Sequence, residues 1–308
     1  MASYEIQPKR RTLHGKFSRE HEPVLTVRDG DTVRFRTLDA SWLLEPPHAA
    51  FGETPTFELR NDGDAGHALC GPIAVEGAEP GMTLEVHIGD IRPGTWGFTF
   101  GGRRPNLGIT DEDAYLRWTL DPTKMTGRNQ HGHVVALSPF MGVMGMPPDE
   151  PGMHSTGPPR VTGGNFDCKE LVAGSTLYLP IAVPGGLFSV GDGHAAQGDG
   201  EVSGTAIECP VDCVELTFRL PADMSIQAPR ARTAEGWLTF GLDEDLDAAL
   251  DMALVGMLDL MQEQYGLGRA EALALASVVV DMRVTQIVNG VRGVHAVLPY
   301  GALTMPPS

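Results

Sequence analysis

From the N-terminus to about residue 240, apolar and polar positions alternate in short runs that a glycine or proline interrupts every few residues. Helices of ordinary length do not survive such punctuation, so the pattern predicts short strands joined by turns. Three stretches repeat one pattern: DGDTVRFR (29–36), PGMTLEVH (80–87) and AGSTLYLP (173–180) each place glycine, any residue and threonine before an alternating run. Glycine supplies the positive φ of a turn. The alternation of Val33 with Phe35, Leu84 with Val86 and Leu177 with Leu179 then sends one face of a strand inward. The unequal spacing of the copies argues for related β units and against a solenoid.

After Gly241 the period changes. Asp243, Glu244 and Asp245 precede Leu246, Leu250, Leu254, Leu258 and Met261 at near-helical spacing. Acids at a helix start complement its dipole, so a helix over Asp243–Tyr265 with that leucine stripe buried is expected. Gly266 and Gly268 end it, Ala270–Val280 forms a second helix, and VTQIVNG and GVHAVLP read as strands. The predicted fold is a β-rich α+β protein: β-sandwich or barrel-like units with a C-terminal α+β portion. Its expected division is a β-rich domain over 1–160, a central β unit over 161–240 and the α+β portion over 241–308.

Charge and cysteine content narrow the class. A formal net charge of −17, with no basic cluster beyond Lys9, Arg10 and Arg11, argues against a nucleic-acid partner. Four scattered cysteines (Cys70, Cys168, Cys209, Cys213) do not make a disulfide framework and fit a reducing cytoplasm. The N-terminal MASYEIQPKRR lacks an apolar signal core, and no window approaches the roughly 20 apolar residues that span a bilayer. A soluble cytoplasmic protein without membrane contact is expected.

Candidate chemistry concentrates in GDGHAAQGDGE (191–201), which cannot pack a core. In an extended segment Asp192 and His194, two positions apart, share a face, and Asp199 and Glu201 repeat the spacing. Carboxylate and imidazole are the usual ligand set for Zn²⁺ or a harder divalent ion. Two other readings compete: an acidic surface loop, or a structural Ca²⁺ loop in a non-enzymatic β-sandwich binding module. His194 and an aromatic content of only 6% weigh against the binding module. Asp39, His48 and His67 lie among turns, and His131 and His133 flank a glycine before a strand. Asn165 and Asp167 fit an Asx turn, and Cys209 and Cys213 lack the spacing of a zinc knuckle. Serine-nucleophile, phosphate-loop and dinucleotide motifs are absent from the sequence.

Three segments carry a family resemblance: HALCGPIAVEGAEPGMTLEVHI (67–88), GGNFDCKELVAGSTLYLPIAVPGGLFSVGDGHAAQGDGEVSGTAIE (163–208) and DMRVTQIVNGVRGVHAVLP (281–299). Together they resemble the acetamidase/formamidase family over nearly the whole chain. The resemblance implies a metal-dependent hydrolase of small linear amides, releasing ammonia and a carboxylate, on a β-rich scaffold. Motif positions match at Asp39, His67, Asn165, Asp167, Asp192, His194, Gln197, Asp199, Glu201 and Glu208. On that basis Asp192 and His194 are expected to bind the metal, Zn²⁺ before Ca²⁺, with His67 and Asp39 joining from the N-terminal half. Glu208 is expected as general acid or base, with Asp199 and Glu201 as further catalytic carboxylates, and Asn165 and Gln197 as substrate-binding residues. The expected partners are a small amide and a second copy of the chain in a homodimer. A hydrolase of cyclic amides shares this chemistry and is the enzymatic alternative.

Overall fold

The computed structural model describes residues 1–43, 45–46, 60 and 64–304. His48 lies outside them. The three repeated stretches all become strands of one sheet. Gly30, Gly81 and Gly174 hold φ of 83°, 88° and 89°, and the strands Thr32–Thr37, Thr83–Pro93 and Thr176–Pro180 start two residues later. Only glycine adopts that turn without strain, which explains its recurrence before each threonine. Val33, Leu84, Val86, Leu177 and Leu179 are fully buried and Phe35 almost so. Each such burial is worth about 1.5–3 kcal/mol.

Among the described residues this sheet has nine strands, in the order Ser3–Ile6, Thr32–Thr37, Val211–Arg219, Thr83–Pro93, Thr176–Pro180, Arg230–Arg232, Gly236–Asp243, Arg292–Pro299 and Asp281–Gln286. Strands from all three sequence segments therefore share hydrogen bonds in one sheet. A second, mostly antiparallel sheet is built around Phe188–His194, which pairs with Phe140–Gly145, Glu208–Cys209 and Leu69–Val75. Glu208–Cys209 continues it to Trp96–Gly101 and then Ala114–Asp121. The main core lies between the sheets, where Phe188 of one meets Phe218 of the other edge to face, ring centroids 5.2 Å apart.

Helix α1 runs Leu246–Tyr265 and α2 runs Arg269–Val279. The start of α1 is three residues later than the acidic run suggests. Asp243 ends a strand, while Asp245 caps the helix by accepting from Asp247 N and Ala248 N at 2.9 and 3.0 Å. The buried face also differs from the leucine stripe. Ala249, Ala253, Met257, Leu258, Leu260 and Met261 are buried, Leu246 and Leu254 only partly, and Leu250 is 38% exposed. Close approach is the reason. A Cβ on Gly241 would stand 1.8 Å from Ala249 O, and Thr239 Oγ1 donates to Ala253 O at 2.7 Å. The helix backbone rests directly on the sheet through Ala249 and Ala253, which turns Leu246, Leu250 and Leu254 toward the flanks.

Candidate functional site

Asp192 and His194 stand at the C-terminal end of the buried strand Phe188–His194, and His194 pairs in register with Glu208 on one side and Phe140 on the other. The His194 ring packs edge-on against Phe140 at 5.1 Å. Its Nε2 lies 3.2 Å from Asp192 Oδ1 and 3.3 Å from Glu208 Oε2. Glu208 is itself held, Oε1 accepting from Ala206 N at 2.8 Å. On the opposite side, His194 Nδ1 is 3.0 Å from Gln197 Oε1 and 3.8 Å from Asp167 Oδ1. All of these carboxylates and the imidazole are at least nine-tenths buried.

The hydrogen bonds fix the imidazole tautomer. Gln197 Nε2 donates to the carbonyl of Asp167 at 2.7 Å, and a carbonyl can only accept. Gln197 therefore presents its oxygen to His194, so Nδ1 must carry the proton there. The Nε2 lone pair then points at two carboxylates. Three electron-rich atoms gathered in a buried space require a cation among them, either a proton or a metal ion.

The space for an ion is shaped by the neighbouring strand. A Cβ on Gly142 would lie 2.6 Å from both Asp167 Oδ1 and Asp192 Oδ2, and 3.0 Å from His194 Cε1. Glycine lets both carboxylates and the ring close against this strand. Asp192, His194 and Glu208 offer donor atoms within 4.8 Å of one another, and so do Asp167, His194 and Glu201. Asp167 Oδ1, Glu201 Oε2 and Asn165 Oδ1 are buried without hydrogen-bond partners. This donor set, one imidazole nitrogen and several carboxylate oxygens, fits a divalent ion.

Three of these carboxylates stand on strained backbone. Asp192, Asp167 and Glu201 hold φ of 60°, 49° and 45°, a region that costs a non-glycine residue about 1–3 kcal/mol. The charges are tuned to match. Burial pushes Glu201 up to about 10, reinforced by the Asp167 charge. Burial also raises Asp167 to about 6, against the pull of His194, and raises Glu208. Asp192 goes the other way: its burial is outweighed by His194, His67 and hydrogen bonds, and it stays below the usual carboxylate range. His194 is held well above its ordinary value because Glu208 and Asp192 outweigh its burial. Without a metal, a proton takes the cation's place.

The remaining predicted residues sit around this centre in different ways. His67 is half-buried, with Nδ1 2.9 Å from Thr156 Oγ1, and its charge is among those acting on Asp192. Asp39 is fully buried and caps a turn by accepting from Leu43 N and Ser41 N. Burial raises it to about 8, with Glu208 and Asp192 adding to the effect. Neither belongs to the two metal-compatible groups of the centre. Asp199 is exposed and pairs with Lys169 at 2.6 Å. His131 and His133 are exposed in a turn organised by Asn129. Cys209 is a buried free thiol and Cys213 a half-buried one.

Two residues of the centre had no role in the sequence reading. Gly142 is one. The other is Asn289, whose Nδ2 donates to Asp167 Oδ2 at 2.5 Å across 122 positions. Its only sequence signal is its place in the motif DMRVTQIVNGVRGVHAVLP. A third group joins Cys168 and Glu170, which follow Asp167 in the chain, with His295 of a C-terminal strand. There Glu170 already meets Lys169 at 2.8 Å and Arg283 at 3.3 Å, so it forms an ion-pair network and offers a cation little uncompensated charge.

The model of the acetamidase/formamidase family matches residues 2–154 and 152–301. The chain belongs to the acetamidase/formamidase family. A formamidase from Methylophilus methylotrophus is 28% identical over 250 residues, 62% of this chain and 60% of that protein. The chain thus spans about three-fifths of that curated relative's length. Among solved structures, an acetamidase from Bacillus halodurans superimposes with a TM-score of 0.83 at 28% identity, covering 96% of this chain and 97% of that one. An acetamidase from Yersinia enterocolitica gives 0.84 at 25% identity over 98% and 93%. Within the family's fold, the buried centre occupies the end of the Phe188–His194 strand. Among the described residues no helix is long and apolar enough to cross a membrane.

Proposed function

We propose that this chain hydrolyses a small linear amide to a carboxylate and ammonia with the help of a divalent metal ion, Zn²⁺ in the first instance. The observation that carries this reading is the forced orientation of His194, whose Nε2 lone pair meets Asp192 and Glu208 in a buried centre that a side chain at Gly142 would disrupt. An imidazole nitrogen beside carboxylates suits Zn²⁺ better than Ca²⁺, which prefers an all-oxygen shell. Family membership supports the amide as substrate class.

Asp192 and His194 would hold the ion, with His67 and Asp39 close enough in charge to shape its surroundings. A bound divalent ion supplies polarisation of a carbonyl and acidification of water. Glu208 has one oxygen tied to Ala206 N and the other turned into the centre. Its burial raises its proton affinity, as suits a group that takes a proton from water and passes it to the departing nitrogen. Glu201, whose burial raises its proton affinity, belongs to the donor group on the other side of His194. Asn165, buried with an unpartnered Oδ1, would accept from an amide N–H, while Gln197 is committed to His194 and Asp167. The test is ammonia release from formamide, acetamide and propionamide by protein of known metal content. Ammonia formed in proportion to bound zinc is expected, and zinc-loaded protein that releases none from any of the three rejects the reading.

A further inference from the structure

We infer that Asn289, from the turn between the last two strands, is a positioning residue that clamps Asp167 and through it sets the His194 ring. The inference rests on the proposed metal-assisted reading. Asp167 is gripped at two points. Its carbonyl accepts from Gln197 Nε2 at 2.7 Å, and its Oδ2 accepts from Asn289 Nδ2 at 2.5 Å. The same Asn289 nitrogen lies 3.4 Å from the carbonyl of Asn165. Because Asp167 sits at φ 49°, its backbone does not hold this conformation unaided. With Oδ2 engaged, Oδ1 is left facing His194 Nδ1. The carbonyl stays on Gln197, whose oxygen in turn fixes the proton on Nδ1.

The turn that carries Asn289 is built for the purpose. Gln286 is fully buried, and its Oε1 accepts from Val288 N at 2.8 Å and Asn289 N at 3.1 Å, while its Nε2 donates to Val291 O at 2.8 Å. Gly200, next to Glu201, donates to Thr285 O at 3.0 Å and accepts from Ile287 N at 3.2 Å. The C-terminal portion is thus stapled to the loop that supplies Glu201. A neutral donor is needed at 289. A carboxylate there would face Asp167 Oδ2 with like charge and nothing to donate.

Asn289→Asp and Asn289→Ala separate this role from packing. The aspartate has the asparagine's shape, so a packing role ranks it closer to wild type than alanine. A donor role ranks it worst. Three readouts are taken on wild type and both variants: the ring ¹⁵N–¹H correlations of His194, recognised by their loss in His194→Gln, zinc retention against a chelator, and the thermal midpoint of metal-free protein. Expected are the Nδ1–H tautomer in wild type, its loss in both variants, and zinc retention weakened about 10- to 100-fold, most in Asn289→Asp. The metal-free midpoint of Asn289→Asp should fall below that of Asn289→Ala, where a packing role would place it nearer wild type. A wild-type Nδ1–H tautomer in zinc-loaded Asn289→Asp overturns the inference. Failure of the amide reading is distinguishable, because wild type would then release no ammonia while the ring correlations still respond to residue 289.

Discussion

Gly142 faces Asp192 so closely that a Cβ at position 142 would stand 2.6 Å from Asp192 Oδ2. The same Cβ would meet Asp167 Oδ1 at 2.6 Å, so the missing side chain is what lets both carboxylates close against this strand. Gly142→Ala should therefore abolish zinc binding and ammonia release. Its stability cost should be that of an overpacked core site, about 1–3 kcal/mol. Metal content and a denaturant midpoint on one sample check this. Full zinc occupancy in the variant would place the ion elsewhere.

The packing of α1 gives a ranked expectation. Met257 is fully buried, Leu254 partly, and Leu250 is 38% exposed. Met257→Ala should cost about 2–5 kcal/mol, Leu254→Ala less, and Leu250→Ala within about 0.5 kcal/mol of nothing. Gly241→Ala should be more damaging than its single methyl suggests, because its Cβ would lie 1.8 Å from Ala249 O, a backbone atom. Chemical denaturation of the four variants tests the order, and a Leu250→Ala cost equal to that of Met257→Ala would contradict the observed face.

What the sequence disclosed follows physical range. Gly30, Gly81 and Gly174 announce their strands because a turn glycine and the alternation after it are local, and Asp192 with His194 is legible for the same reason. Of the stripe expected on α1, Leu258 and Met261 are buried, whereas Leu250 is exposed and Leu246 and Leu254 are only partly covered. Hydrophobicity alone favours leucine. Depth of burial there depends on alanine and Gly241 letting two backbones meet. Gly142 and Asn289 were silent for a different reason. Each acts on Asp167 from a distant strand or turn, and nothing near it in the chain records that contact.

A pH effect is expected away from the centre. His14 is buried, its Nε2 2.9 Å from Ser189 Oγ, and burial followed by the nearby His21 lowers it from 6.5 to about 4. The folded state thus refuses a proton that the unfolded chain accepts below 6.5. No penalty exists above that value, and as pH falls from 6.5 toward 4 stability is lost at about 1.4 kcal/mol per unit. His14→Gln should flatten the fall in stability across that window relative to wild type. Stability curves that run parallel between pH 7 and 4 would show that His14 titrates normally.

The central claim is that Asp192, His194 and Glu208 form one metal-assisted amide-hydrolysing centre. Its most direct test measures zinc content and ammonia release on the same preparations of wild type, Asp192→Asn and Glu208→Gln, with acetamide, formamide and propionamide as substrates. Asp192→Asn should lose both metal and activity. Glu208→Gln keeps an oxygen in place but cannot carry a proton, so it should retain zinc while turnover falls by about 10²- to 10⁴-fold. Near wild-type turnover by Glu208→Gln on the best substrate, or undiminished activity in zinc-free Asp192→Asn, would contradict the account.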